Sequence, residues 1–586
     1  MKEATKPPTS SPAQSPRTEF YLTYEDCSIS RDEGGLARLK TFFCDAKSES
    51  IYSSGPGLGP FPVFPEQPMP LEDKHTLTTN LSKDQQSYFL RLFCDHLHQQ
   101  IQILTSKQLK ELYNSNWEQL YDKRPVDGAL LDCMIALGIQ YGHHTGLSSR
   151  ILAVNGNSSC DGPRPGWSYI RRCRKILAGW SRVSLEVLQC DLLIALFLMH
   201  ASSYQEAYRV LGCAVRNALS LNLQCDPAEH FSTVEKTLRK RLWWLLFVMD
   251  FQCSRQLGKP LAVQLSIITC SLPVSDDRET KSATVDEDDI TYLAFLTHMT
   301  KLAIIWTDIQ QRLSMNKVYE GTCNAIVLEH CADRISASLL QLDTWMSEIS
   351  GRFTPPSGYS MAQTNIEKHG FAFELGVPPR IQRQRIILIL WYHDTYIMLQ
   401  RPFICFATPG QAKAQYHSQS ALQHSLVVIS IVHQAFSSSD ILYGWPEAIY
   451  ILWNATTAVL GFIRVSPERS RVPSAIASIR KALWVFENYS VTCASSVMAK
   501  NVIQSLLSKL NVSMVNLDET GMDAEVRTAT SKTSQQLGLR DSSSPLLTTL
   551  SSSHDAMEII GLDDLVGIEN GNWDLSWPTY EVLQGA

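Results

Sequence analysis

From Leu81 onward, apolar residues recur along the chain at helical spacing, in long stretches with few alternating apolar–polar runs. Within residues 204–221, Ala207, Leu211, Ala214, Ala218 and Leu221 step by 4, 3, 4 and 3, which places them on one face of a helix. Two start signals follow. Asp226-Pro227-Ala228-Glu229 combines a capping Asp, a Pro at the first helical position and a Glu two residues later, while Ser232-Thr233-Val234-Glu235 reads as a capping box. Either can open the next helix, in which Leu238, Leu242, Leu245 and Met249 repeat at 4, 3, 4. Gly258, with Pro260 just beyond, predicts its end.

A second helical block is predicted from about Arg380. Ile386, Leu390, His393 and Ile397 mark one face, and Arg401-Pro402 closes the run. Residues 422–436, 448–465 and 475–491 have the same texture. Between the blocks, Thr354-Pro355-Pro356 and Val377-Pro378-Pro379 mark 351–380 as a loop insertion. With no alternating strand series and no internal repeat, the expected fold class is all-α over residues 81–513.

The two ends differ from this body. Residues 1–80 are rich in Pro and Ser and are expected to be disordered; the run from Gly55 to Pro70 cannot sustain a regular helix. Residues 514–554 read as a linker, since 13 of the 26 residues from Thr528 to Ser553 are Ser or Thr. Residues 555–586 form an acidic-aromatic tail that keeps Leu562, Leu565, Trp573, Trp577 and Tyr580 among its carboxylates.

Charge sharpens that contrast. The 586 residues carry 52 Lys+Arg against 58 Asp+Glu, a net −6. From Asp541 to Ala586 there are eight acidic residues and no Lys or Arg, so everything before the tail sums to +2. A nearly neutral body argues against binding nucleic acid by positive charge alone. At 44% hydrophobic residues the chain can build a large core, and its length corresponds to about three or four domains. The N-terminus has no apolar signal region, and the clean apolar runs (192–199, 242–249) reach eight residues, far short of a membrane span. The 15 cysteines are expected as reduced thiols; none forms a C-x-x-C, and no metal ligand set is expected.

Catalytic motifs are not found. No nucleophile elbow, phosphate loop or zinc-protease helix occurs, and the expectation is that the chain is not an enzyme. Gly55-Pro-Gly57-Leu-Gly59 lies among prolines and reads as linker. Asp95-His96-Leu97-His98 is expected on a solvated helix face, and His393 as a core histidine. Two basic clusters, Arg171-Arg172-Cys173-Arg174-Lys175 and Arg239-Lys240-Arg241, read better as helix faces paired with carboxylates than as DNA contacts.

Three stretches together resemble one family. They are Leu188–Leu193 with Ala207–Leu223, then Leu238-Arg239-Lys240-Arg241-Leu242-Trp243-Trp244 through Asp250 to Gly258-Lys259-Pro260, and Ser271-Leu272-Pro273. Tyr392-His393 and Leu399-Gln400-Arg401-Pro402-Phe403 add a looser match. The pattern resembles the middle homology region of fungal zinc-cluster transcription factors, across roughly residues 85–510. The resemblance implies an all-helical regulatory body in which Arg241, Trp243, Trp244 and Asp250 hold helices together while Gly258 and Pro260 terminate one. It also implies a nuclear transcription regulator of a metabolic or secondary-metabolite gene set, with transcription coactivators as partners and a small-molecule effector or homodimer within the family's habit.

That family's six-cysteine module, which would hold two zinc ions and place a helix in the major groove, is not in this sequence. Zinc is therefore expected only if an upstream exon supplies that cluster. Otherwise the chain would act through another DNA-bound factor, as a DNA-independent metabolite sensor or corepressor partner. The tail reads as an activation segment, because Trp573, Trp577 and Tyr580 among acidic residues suit a coactivator groove.

Overall fold

The computed structural model describes residues 34–44, 61–66, 81–115, 121–122, 124–146, 164–273, 287–313, 325–349, 351–355, 374, 376–406, 412–465, 472–489 and 493–510. Among them are sixteen α-helices and no strand. In chain order these are α1 Gly34–Cys44, α2 Lys83–Leu92, α3 Ser106–Tyr113, α4 Pro125–His144, α5 Trp167–Ala178, α6 Leu185–His200, α7 Tyr204–Ser220 and α8 Thr233–Leu257. Then come α9 Glu287–Leu313, α10 Ala325–Glu348, α11 Pro379–Gln400, α12 Pro402–Phe406, α13 Ala412–Ser438, α14 Glu447–Val465, α15 Val472–Tyr489 and α16 Ala494–Lys509. The fold class is all-α.

Length alone pointed to three or four domains, yet the described residues share one continuous apolar core running from Leu39 to Leu507. The described residues all fall within one compact unit. The expected linker and acidic-aromatic tail lie outside the described residues.

Helices α4 and α6 are buried on nearly every side, which is why their sequences are apolar nearly all round rather than amphipathic; α8 from Arg241 and α11 from Ile386 are buried almost as completely, although they also carry polar and charged residues. Around them pack one-sided helices. In α7, Ala207, Leu211, Ala214 and Ala218 are buried, the face their spacing predicts. Helix α14 is long and apolar enough to cross a membrane, but 83% of that stretch is buried inside the protein, as befits a core helix.

The start of α8 resolves the two cap signals. Ser232 is the N-cap, its hydroxyl accepting from the Glu235 N–H at 3.2 Å. Asp226 is used elsewhere, accepting from the Ser271 N–H at 3.1 Å and pairing with Lys240 at 2.9 Å. At the other end Gly258 sits at φ +63°, and Lys259 N–H reaches the Ser254 carbonyl at 2.9 Å, a glycine-terminated helix end.

Two pieces of the first 80 residues depart from the expectation of disorder. Helix α1 buries Leu39, Phe42 and Phe43, and residues 61–66 bury Phe61, Val63 and Phe64. Trp453 Nε1 donates to the Pro62 carbonyl at 3.0 Å, and the Arg401 guanidinium lies 5.0 Å from the Phe61 ring centre. The prolines do bar helix at 61–66, as expected, but the aromatic residues between them have a core to enter. Of the 351–380 insertion, residues 351–353 form a short 3-10 turn with Phe353 buried, and α11 begins inside it at Pro379.

Candidate effector pocket and its scaffold

Arg241, Trp244 and Asp250 each tie α8 to a different segment. Arg241 is buried and donates to Gln102 Oε1 at 3.2 Å and to the Leu104 carbonyl at 3.1 Å. Trp244 Nε1 donates to the Ser271 carbonyl at 2.9 Å. Asp250 Oδ2 accepts from the backbone N–H groups of Ala262 and Val263 at 2.8 and 2.9 Å, and Oδ1 from the Ser254 hydroxyl at 3.1 Å. Burial lifts the Asp250 carboxyl to about 6 against the pull of these donors. Trp243 is fully buried, and the Pro260 carbonyl accepts from Tyr208 Oη at 2.9 Å. Trp244 and Asp250 thus organise the chain after the α8 terminus, while Arg241 holds the 102–104 segment.

The basic clusters are absorbed by partners. Arg172 pairs with the fully buried Asp132, whose Oδ2 accepts from Nε at 2.7 Å; Tyr121 Oη also donates to Asp132 at 2.7 Å. Arg174 pairs with Glu206 at 2.7 Å. Arg239 pairs with Glu235 at 3.0 Å and lies 4.0 Å over the Phe231 ring. The helix-face reading of both clusters matches this geometry.

The histidines at 96 and 98 are not on a solvated face. Residues Phe93–His98 form a π-helical turn, which rotates the following side chains away from the α-helical register. His98 is buried, its Nε2 3.2 Å from the Leu104 carbonyl, and His96 stacks on Tyr141 with ring centres 4.7 Å apart. His393 is a core residue, Nδ1 to Nδ1 with His424 at 2.7 Å.

The π turn forms one wall of a cavity of about 70 Å³. Tyr141 of α4, Leu196 and His200 of α6, Leu245, Val248 and Met249 of α8, Phe295 and Met299 of α9, Ile387 of α11 and Glu447 of α14 complete it. At about 10–15 Å³ per water, that space takes roughly five waters or a small organic group. The wall is mainly apolar, with polar atoms at a few points. Among the described residues, His200 Nε2, Gln100 Oε1 and Glu447 Oε2 are buried without a hydrogen-bond partner. Burial pushes His200 down to about 4 and Glu447 up to about 7. His96 falls to about 4 through burial and, secondarily, the nearby Arg383 cation. Near neutral pH both imidazoles are therefore uncharged. Gly444 borders the space at φ +74°, where a Cβ would stand 2.3 Å from the Tyr141 ring. The sequence carries no local sign of this cavity, since its walls come from segments as far apart as His96 and Glu447.

Comparison with known proteins places these features in context. Residues 90–354 match the fungal specific transcription factor domain. The chain is 28% identical over 484 residues to the oosporein cluster regulator OpS3 of Beauveria bassiana, covering 76% of this chain and 64% of that protein. It is 28% identical over 473 residues to the terreic acid cluster-specific transcription factor atF of Aspergillus terreus, covering 74% and 70%. The transcription factor asqA of Emericella nidulans is 26% identical over 455 residues, covering 72% and 78%. Two of these relatives are named as transcription factors and one as a cluster regulator, and two of the names specify a metabolite cluster.

Proposed function

Because residues 90–354 match the fungal specific transcription factor domain, we propose that this chain activates transcription of a secondary-metabolite gene set in the nucleus. The observation that carries this reading is the alignment of two proteins named as transcription factors and one named as a cluster regulator over 72–76% of the chain. The −8 tail supports the activator sense. Its sequence sets Leu562, Leu565, Trp573, Trp577 and Tyr580 among carboxylates, a composition that suits a coactivator groove. Contact with DNA would come from a zinc cluster outside this sequence or from a second DNA-bound factor.

The full chain fused to an unrelated DNA-binding domain is expected to switch on a reporter, and Trp573→Ala with Trp577→Ala to silence it. A silent unaltered fusion would remove the activator sense.

A second reading is supported by the cavity: the helical body senses a small molecule. Partnerless Glu447, His200 and Gln100 atoms in a mostly apolar wall suit a compact ligand with a few hydrogen-bonding groups. Products and intermediates of the regulated cluster are expected to raise the melting temperature, with Glu447→Gln weakening the shift. No shift with any of them would count against sensing.

A further inference from the structure

We propose that Cys133, Cys173 and Cys190 form a closed three-sulfur site for a thiophilic ion, and that trivalent arsenic, entering as neutral arsenous acid, is the ion that fits it. The three residues come from α4, α5 and α6 and have no exposed surface. Their Sγ atoms all lie within 4.8 Å of one another, with Cys133 and Cys173 at 3.3 Å. A soft ion bonded at about 2.3 Å to three sulfurs in its own plane sets them about 4 Å apart, and a pyramidal ion draws them closer. The packing of the three helices therefore already holds the sulfurs near binding distance.

Charge selects among soft ions. The ligand form is the thiolate, so three of them would leave −2 around copper(I), −1 around zinc(II) and zero around arsenic(III). An uncompensated charge in such a site costs several kcal/mol. The neighbouring cations are committed, Arg172 to Asp132 and Arg174 to Glu206. Asp191, next to Cys190 and bonded to Asn217 Nδ2 at 2.8 Å, adds negative charge. A neutral adduct is thus favoured. Zinc in structural sites also takes four ligands, and this group has three among the described residues.

The exchange balances without an oxidant. Three As–O bonds break and three As–S bonds form. Each leaving hydroxide takes one thiol proton and departs as water, so no electron is transferred and no net proton is released. Helix α5 is the cover, with one face half-buried to exposed and the other on the trio, so its local fluctuation admits a small neutral species.

The test equilibrates the reduced full chain separately with arsenous acid, zinc(II) and copper(I), removes free ion, and reads bound metal and native mass. One arsenic per chain with the loss of three hydrogens is expected. Cys133→Ala, Cys173→Ala and Cys190→Ala should each lower retention at least tenfold at unchanged circular dichroism. Cys213→Ala, at an exposed cysteine, should leave it intact. If a variant fails to fold, mapping the arsenic in the unaltered chain to the peptides that carry Cys133, Cys173 and Cys190 decides the matter. No retained arsenic, or retention that survives the three core substitutions, overturns the site. Retention of zinc or copper in place of arsenic overturns the assignment of the ion.

Discussion

Arg255 of α8 and Asp394 of α11 form an ion pair in which neither side chain has any exposed surface. Asp394 also accepts from Asn454 Nδ2 of α14 at 3.0 Å, so three core helices meet on one carboxylate. The Arg255 guanidinium lies 4.9 Å from the Trp391 ring centre, which shields it further from water. Removing one partner of such a pair leaves a buried charge without compensation. Asp394→Asn is expected to cost about 3–5 kcal/mol, read as a lower urea midpoint, whereas an unchanged midpoint would show the pair to be dispensable.

Asp250 anchors the chain just past the α8 terminus through two backbone N–H groups. Asp250→Ala strands both donors and should cost about 2 kcal/mol or more. Limited proteolysis should find a new cut within residues 258–273, and an unchanged digestion pattern would contradict the anchoring role.

Glu447 gives a pH signature. Its carboxyl is lifted from 4.5 to about 7 by burial, so the folded chain holds this proton more tightly than the unfolded one. Below about pH 4.5 both states are protonated and the contribution is complete. Between 4.5 and 7 the unfolded state ionises first, and stability falls by up to about 3 kcal/mol. The lowered histidines act in the opposite sense, losing stability as pH falls from 6.5 toward 4. Comparing Glu447→Gln with the unaltered chain isolates the carboxyl: the variant should gain relative stability from about pH 4.5 to about pH 7 and then level off. A difference that does not vary with pH would contradict its burial.

Gly444 is the backbone position on which the cavity wall depends. Gly444→Ala meets the Tyr141 ring and a left-handed backbone at once, a strain of about 1–3 kcal/mol. A lower melting temperature and the loss of any effector-induced shift are expected. A variant as stable as the parent would mean Tyr141 moves freely.

Local patterns were readable before the structure where the determinant is local. The Ala207–Ala218 stripe, the Gly258 stop and the all-α class follow from spacing and caps. The α8 start carried two valid signals, and long-range partners decided it: Ser271 and Lys240 claimed Asp226 and left Ser232 as the cap. His96 and His98 were misplaced because a π turn shifts their register without a sequence mark. The cavity and the cysteine trio are tertiary products. Cys133 stands 40 residues before Cys173, and only helix packing brings their sulfurs together. Helix α1 was missed because its apolar residues, Leu39, Phe42 and Phe43, are few and flanked by Pro- and Ser-rich chain. Conversely, the motif residues Arg241, Trp244 and Asp250 were singled out by resemblance, and only the structure shows which segment each one holds.

The most direct measurement is a transcript profile of the organism that encodes the chain, with its gene deleted and with it overexpressed. A regulator of a secondary-metabolite gene set should silence one contiguous group of biosynthetic genes when absent and raise the same group when abundant. A profile in which no such group responds in either direction would contradict the proposed function.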